Sequence, residues 1–162
     1  MRKAECGKAV GVKLDAILED MLRRVPLFSD FRQEALADIL ATASRRRVSR
    51  GQLLFQQGDE AEYFYLVLSG WVKLYRNLPD GHQVVLHTFT AGEAFAEAAI
   101  LGRGIYPATA EVVENAELLA FSGPQFLARL RENSELAIRM LASMSIHMRH
   151  LVAQMEQRGG RP

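Results

Sequence analysis

Residues 51–70, GQLLFQQGDEAEYFYLVLSG, run into 71–75, WVKLY, and this stretch decides how the chain folds. Leu53-Leu54-Phe55 and Tyr63 to Leu68 are short apolar runs, and each stops at turn formers, Gly58-Asp59 and Ser69-Gly70. The same texture continues downstream. Trp71 to Arg76 ends at Pro79-Asp80-Gly81, and Val84 to Phe89 is closed by Ala91-Gly92-Glu93. Two further runs follow, Ala108 to Val113 and Leu118 to Phe121. Short strands with turn signals roughly 8–12 residues apart predict a sandwich or barrel. Pro79-Asp80-Gly81 is the clearest hairpin turn. The basic run Arg45-Arg46-Arg47, with Arg50, lies at the entry to the first strand and reads as a solvated edge whose charges oppose aggregation.

Helical patterns flank this region. Val12, Leu14, Ile17, Leu18, Met21 and Leu22 recur at intervals near three and four, and Pro26 interrupts them. Ser29-Asp30 offers an N-cap, after which Phe31, Leu36, Ile39 and Leu40 restart the period. Beyond the strands, Gly123-Pro124 opens a short helix through Arg131, and Asn133-Ser134 caps a longer one from Glu135 to about Gln157. Along it Leu141, Met144, Met148, Leu151 and Met155 follow alternating steps of three and four, the spacing of a coiled-coil seam or of a helix packed on its own sheet. The tail Arg158-Gly159-Gly160-Arg161-Pro162 has a disordered composition.

The 162 residues suit one domain, with 49% hydrophobic and 24% charged residues, and twenty basic against nineteen acidic side chains leave a charge of +1. No global basic field for nucleic acid exists. Met1 to Gly11 lacks the apolar core of a secretion signal, and no apolar run approaches the roughly 20 residues that cross a bilayer. A cytoplasmic domain without a membrane partner is therefore expected. Cys6 is the single cysteine, so no disulfide framework forms and an iron-sulfur cluster, which takes about four thiolates, is excluded.

The quoted stretch resembles the cyclic-nucleotide-binding-like fold. Helices, then strands, then a long helix, from about Leu22 to Gln157, resemble the sensor half of the catabolite-activator and FNR family of transcription regulators. Within it, FAEA at Phe95 to Ala98 and YPATA at Tyr106 to Ala110 look most like the dissimilatory-nitrate-respiration regulators, which respond to nitric oxide. The resemblance implies a mainly β domain with flanking helices, a double-stranded β-helix (jelly roll) followed by a long C-terminal dimerisation helix. Residues 1–44 would be N-terminal helices, 45–122 the β-roll sensor core, 123–157 a short helix plus the dimerisation helix, and 158–162 the tail. It also implies a homodimer through Leu141, Met144, Met148, Leu151 and Met155, with DNA reached only through a helix-turn-helix domain that this sequence lacks.

Cyclic-nucleotide binders of the family carry Gly-Glu, a short helix, then Arg-Ser-Ala or Arg-Thr-Ala, because an Arg fork matches two phosphate oxygens. Here Gly92-Glu93 and a short helix around Glu97 to Leu101 correspond. Counting back from Ser122, Tyr106 stands at the Arg position and Pro107 at the hydroxyl position, followed by Ala108 and Thr109. Arg103 falls three residues away. On the long helix, Leu151 and Val152 stand where cyclic-AMP binders carry hydroxyl side chains. Cyclic AMP is therefore not expected. The remaining pocket, with Phe95, Ala96, Ala98, Ala99 and Leu101 against the long helix, is apolar and suits a hydrophobic ligand or a haem. Haem senses nitric oxide in the branch resembled, and imidazole is a usual axial ligand. His87, mid-strand, and His147, on the long helix, are the candidates. His82 reads as a turn residue, and His150 shares a polar stripe with Ser143, His147 and Gln154.

No nucleophile, base and metal set converges, so no enzyme is expected. Glu111, Glu114 and Glu117 are spread along strands, and His82 and His87 lack the clustered pattern of a metal-binding cupin. The expected function is ligand sensing coupled to dimerisation. A stand-alone module with a collapsed pocket, filled by Phe95, Tyr106 and Leu151, is the alternative from another class, and a cyclic-nucleotide regulatory domain the alternative within the family.

Overall fold

In a computed structural model, which describes residues 12–159, two long strands carry every other strand. The helical entry is α1 (Ala16–Arg23), a 3₁₀ turn (Pro26–Phe28) and α2 (Gln33–Leu40). The strands are β1 (Ala43–Val48), β2 (Leu53–Phe55), β3 (Tyr63–Asn77), β4 (Gln83–Phe89), β5 (Ala94–Phe95) and β6 (Thr109–Ser122). A short α3 (Glu97–Leu101) separates β5 from β6, and α4 (Gly123–Glu132) and α5 (Ser134–Gly159) follow. All pairings are antiparallel; the order is β1-β6-β3-β4, with β2 added to β6 and β5 to β3. This is the expected mainly β jelly-roll architecture with flanking helices and a long C-terminal helix.

The run Phe64-Tyr65-Leu66-Val67 is wholly buried because both faces of β3 are covered. Phe64 and Leu66 join Phe28, Leu36, Ile39 and Phe121 in a cluster under the helices. Tyr65 and Val67 point the other way and pack with Phe55, Phe95, Tyr106 and Leu118 inside the roll. Since successive strand side chains alternate faces, one register serves both cores, and a slip of one residue would exchange them.

Several expectations change. The turn expected at Ser69-Gly70 lies within β3, and the two runs expected at 108–113 and 118–121 are one strand, β6. Register shifts between Val67 and Val72 let β3 bend without ending. Gly70 has φ +88, and a Cβ on it would lie 2.4 Å from the Asn115 carbonyl oxygen. The basic run is itself a strand, β1, paired with β6 alone; Arg45 and Arg47 face solvent, as expected of an edge. Arg46 does not: it is 6% exposed, its guanidinium 4.3 Å from the centre of the Tyr63 ring, where cation–π attraction replaces hydration.

Helix starts are set by side-chain acceptors. The Asp15 carboxylate takes the Leu18 N–H at 2.8 Å and opens α1. The expected cap at Ser29-Asp30 is absent, since α2 begins at Gln33 behind Arg32. Asp30 is used differently. Its backbone N–H donates to the hydroxyl of fully buried Ser143 at 2.8 Å, and its carboxylate meets Arg139 at 3.3 Å. Ser143 in turn donates to the Arg139 carbonyl at 3.0 Å. This clasp, with buried Leu136 and Met140, holds the first third of α5 to the body. Further along, Leu141, Met148, Val152 and Met155 are exposed.

Among the described residues no helix is long and apolar enough to cross a membrane. Cys6 and the final residues of the tail lie outside the described residues, whereas Arg158 and Gly159 continue α5. Gly70→Ala should lower unfolding free energy by about 3 kcal/mol, combining the left-handed backbone penalty with a clash against backbone atoms. Urea denaturation checks this; an unchanged midpoint would mean that the β3 bend yields.

Candidate functional site

The interior of the roll is filled. The Tyr106 ring stacks on Phe55 at 3.6 Å between centroids and 9° between planes. Tyr65, Phe95 and Phe89 continue the aromatic column at 5.2 and 4.8 Å. The Tyr106 hydroxyl donates to the Tyr63 carbonyl at 2.7 Å and accepts the N–H groups of Tyr63 and Glu62 at 3.0 and 3.2 Å. Burial, partly offset by these bonds, raises its pKa above the ordinary value. The ring is a pillar whose hydroxyl both donates and accepts hydrogen bonds.

An open groove of about 710 Å³ lies outside the roll, beneath α5. Val25, Pro26 and Leu27 of the 3₁₀ turn form one wall, and Met144 and His147 of α5 another. His87 and Phe89 of β4, the Gly92–Ala94 turn, and Glu97, Ala98 and Leu101 of α3 complete it. The His87 ring packs 4.4 Å from Phe89, and its Nε2 lies 3.4 Å from a carboxylate oxygen of Glu93. The other Glu93 oxygen accepts the Thr90 N–H at 2.9 Å and hydroxyl at 3.2 Å. Burial opposes the charge on Glu93, but the Thr90 N–H, His87 and the Thr90 hydroxyl together hold its pKa below the ordinary value. Glu97 is the reverse case. One carboxylate oxygen is buried without a hydrogen-bond partner, and burial raises its pKa despite a bond from its own N–H. Ala96, which caps α3, has φ 73, a left-handed conformation that costs a non-glycine residue about 1–2 kcal/mol. Strain and an orphaned acid therefore meet at one groove wall.

Of the expected pocket residues, Gly92, Glu93, Glu97 and Ala98 line this groove. Phe95, Ala99, Tyr106 and Ala110 pack inside the roll, with Ala108 fully buried beside them. Thr109 lies near Gln57, whose N–H its hydroxyl accepts at 2.9 Å, and Pro107 is exposed. Leu151 and Val152 point to solvent, 43% and 52% exposed. Arg103 is an exposed loop residue. Both candidate imidazoles, His87 and His147, face the same groove. His147 and Ser143 are thus not parts of a solvated stripe. Of the expected seam, Met144 packs on the helical core, whereas Leu141, Met148, Leu151 and Met155 are exposed together with Ile138. Sequence reading missed the groove wall at Val25 to Leu27, for which Pro26 opening a 3₁₀ turn was the available signal. Among the described residues no cluster of three or more His, Cys, Asp or Glu side chains could hold a metal ion.

Residues 45–133 match the cyclic nucleotide-binding domain, and the chain belongs to that family. It is 34% identical over 124 residues to the cyclic AMP receptor protein of Thermus thermophilus, covering 76% of this chain and 57% of the receptor. It is 28% identical over 146 residues to the lysophospholipase nte1 of Aspergillus niger, covering 90% of this chain but only 9% of that protein. The chain thus spans little more than half of one relative and a small part of the other. Among solved structures, DNR from Pseudomonas aeruginosa superposes with a TM-score of 0.76 at 29% identity, over 90% of this chain and 65% of DNR. The DNR sensor domain alone gives 0.67 at 30% identity, over 90% of this chain and 93% of that domain.

Glu97→Gln should make the protein more stable at neutral pH. A folded-state pKa raised above the ordinary 4.5 means that the native state binds more protons than the unfolded one. Wild-type stability therefore falls as pH climbs from the unfolded to the folded value. Melting curves across pH 4 to 8 should show this slope in wild type and a flatter profile in the variant.

Proposed function

We propose that this chain is the effector-sensing and dimerisation part of a cytoplasmic transcription regulator of the catabolite-activator/FNR type, and that its effector sits in the groove between the 3₁₀ turn, β4, α3 and α5. The observation that carries this reading is the groove itself: a cavity of about 710 Å³ with α5 as one wall. An occupant would touch the sensor body and the helix at once. The role is regulatory rather than catalytic. DNA would be contacted by a domain joined after α5, for which the length of the Thermus thermophilus relative leaves room.

Cyclic AMP is disfavoured as the effector. Tyr106 replaces a phosphate-binding guanidinium with a satisfied aromatic pillar. Arg24, which reaches the groove rim, is paired with Asp20 at 3.1 Å, and Glu93 and Glu97 place two carboxyl groups where a phosphate would bring further negative charge. An apolar ligand is favoured: Leu27, Phe89, Leu101 and Met144 supply apolar walls, and a haem would find imidazoles in His87 and His147, with the same two carboxyl groups set against its propionates. Haem when bound would supply an iron that takes nitric oxide. The protein's share is to hold the macrocycle between apolar side chains, keep water from it, and transmit its position to α5.

The collapsed module loses ground on one point. Phe95 and Tyr106 do fill the roll, but Leu151 does not join them, and the apolar groove stays open beside α3.

Titration of the purified protein with haem should give a stoichiometric Soret band that shifts with nitric oxide, and cyclic AMP should give no calorimetric heat. Heat from cyclic AMP with no haem binding would reverse the assignment. The exposed Leu141, Met148, Val152 and Met155 side chains would bury against a second copy, so Met148→Glu should halve the mass by light scattering. An unchanged mass would place the dimer contact elsewhere.

A further inference from the structure

The ionic groups of the groove are unevenly provided with partners. Its basic side chains are Arg24, His87 and His147; Arg24 is paired with Asp20 at 3.1 Å, and His87 Nε2 lies 3.4 Å from Glu93. Glu93 also accepts the Thr90 N–H and hydroxyl, so its carboxylate is well met. Glu97 is not. One of its oxygens is buried without a hydrogen-bond partner, and among the described residues no cation pairs with the side chain. A buried carboxylate is costly unless a cation or hydrogen-bond donors meet it. Its charge is shared over both oxygens, so a cation that reaches the group from the groove compensates the whole of it. Around this acid the lining is apolar, with Leu27, Phe89, Leu101 and Met144. An anion entering there finds two carboxyl groups and no unengaged guanidinium, and a wholly apolar molecule leaves Glu97 unmet. A molecule with an apolar body and one cationic donor satisfies both parts of the lining.

Resting on the reading of the groove as the effector site, we propose that the ligand it takes is a small primary amine with an apolar tail, its ammonium against Glu97 and its tail among Leu27, Leu101 and Met144. Glu97 is the first residue of α3 and Met144 belongs to α5, so such a ligand ties the short helix to the long one through its own length. Glu93, already engaged by Thr90 and His87, adds negative potential to the same wall without being the anchor.

The test uses the whole chain and three probes that share one tail and differ in head: hexylamine, hexanol and hexanoate. Each is titrated while the methyl NMR signals of Leu27, Leu101 and Met144 report occupancy of the groove. Hexylamine should bind about tenfold more tightly than hexanol, the order of one charge-assisted hydrogen bond, and hexanoate should bind most weakly. Glu97→Gln, whose fold the same spectra check, should remove that advantage and leave the affinity for hexanol unchanged. Glu93→Gln should remove less of it, and a larger loss there would overturn Glu97 as the anchor. Equal affinity for amine and alcohol in the wild type overturns the proposal, and so does an amine preference that survives Glu97→Gln. If none of the three probes moves these methyl signals, the groove reading itself falls, which is a separate result from either of these.

Discussion

The antiparallel pairing of β3 with β6 is the constraint on which the rest of the molecule depends. β1 and β2 attach only to β6, while β4 and β5 attach only to β3. The helices pack on one face of the pair through Phe64, Leu66, Leu119 and Phe121, and the roll closes over the other through Tyr65, Val67, Leu118 and Ala120. The Phe64 and Phe121 rings, opposite in the register, stack at 4.6 Å with 4° between planes, so cross-strand pairing and core packing coincide. Strands of fourteen and fifteen residues cannot stay flat over such a core. The bulges around Gly70 supply the bend, at the one position where Asn115 and Ala116 approach too closely for any side chain.

Inside the roll Tyr106 stacks on Phe55, and the side chain at this position decides what that core must accommodate. A guanidinium inside the roll would demand an anion beside it, because an unpaired buried charge is costly. A tyrosine whose hydroxyl already serves two N–H groups and one carbonyl demands nothing. The roll packs there as an aromatic core, and the groove against α5 lies outside it. The polar features along that groove are a left-handed Ala96, a Glu97 oxygen without a hydrogen-bond partner, and a His87 ring nitrogen 3.4 Å from the Glu93 carboxylate.

Much of this was legible from residue pattern alone. The turns at Gly58-Asp59 and Pro79-Asp80-Gly81, the short helix at Glu97 to Leu101 and the long one after Asn133 stand where local chemistry puts them. The join of two runs through Ser69-Gly70 was not legible, because glycine signals a turn and a bulge equally; only the approach of Asn115, forty-five residues away, separates them. Arg46 shows the same limit. In sequence it is one of three arginines, and in space it alternates inward and needs the Tyr63 ring to be tolerated. At the site, the expected lining on α3 was half right in direction: Ala98 and Leu101 face the groove while Ala99 faces the roll, since a helix of five residues exposes different walls on successive side chains. The opposite wall, Val25 to Leu27, is remote in sequence, and Pro26 at the start of a 3₁₀ turn is its one signal.

A groove with α5 as a wall becomes a switch only if its occupant prefers one helix position over another. Moving a two-state helix from about 1:99 to 99:1 takes about 5.5 kcal/mol of differential affinity. At about 25 cal/mol per Å² that is the work of burying roughly 200 Å² more apolar surface in one state than in the other. Met144, Leu27, Phe89 and Leu101 are apolar side chains that line the groove. The length of α5 is divided. Up to Ser143 it is tied by Leu136, Met140 and the Asp30 clasp, and Met144 still packs on the helical core; beyond that, Met148, Val152 and Met155 are exposed among the described residues. An occupant of the groove would meet α5 at Met144 and His147, where the tied part of the helix gives way to the exposed part.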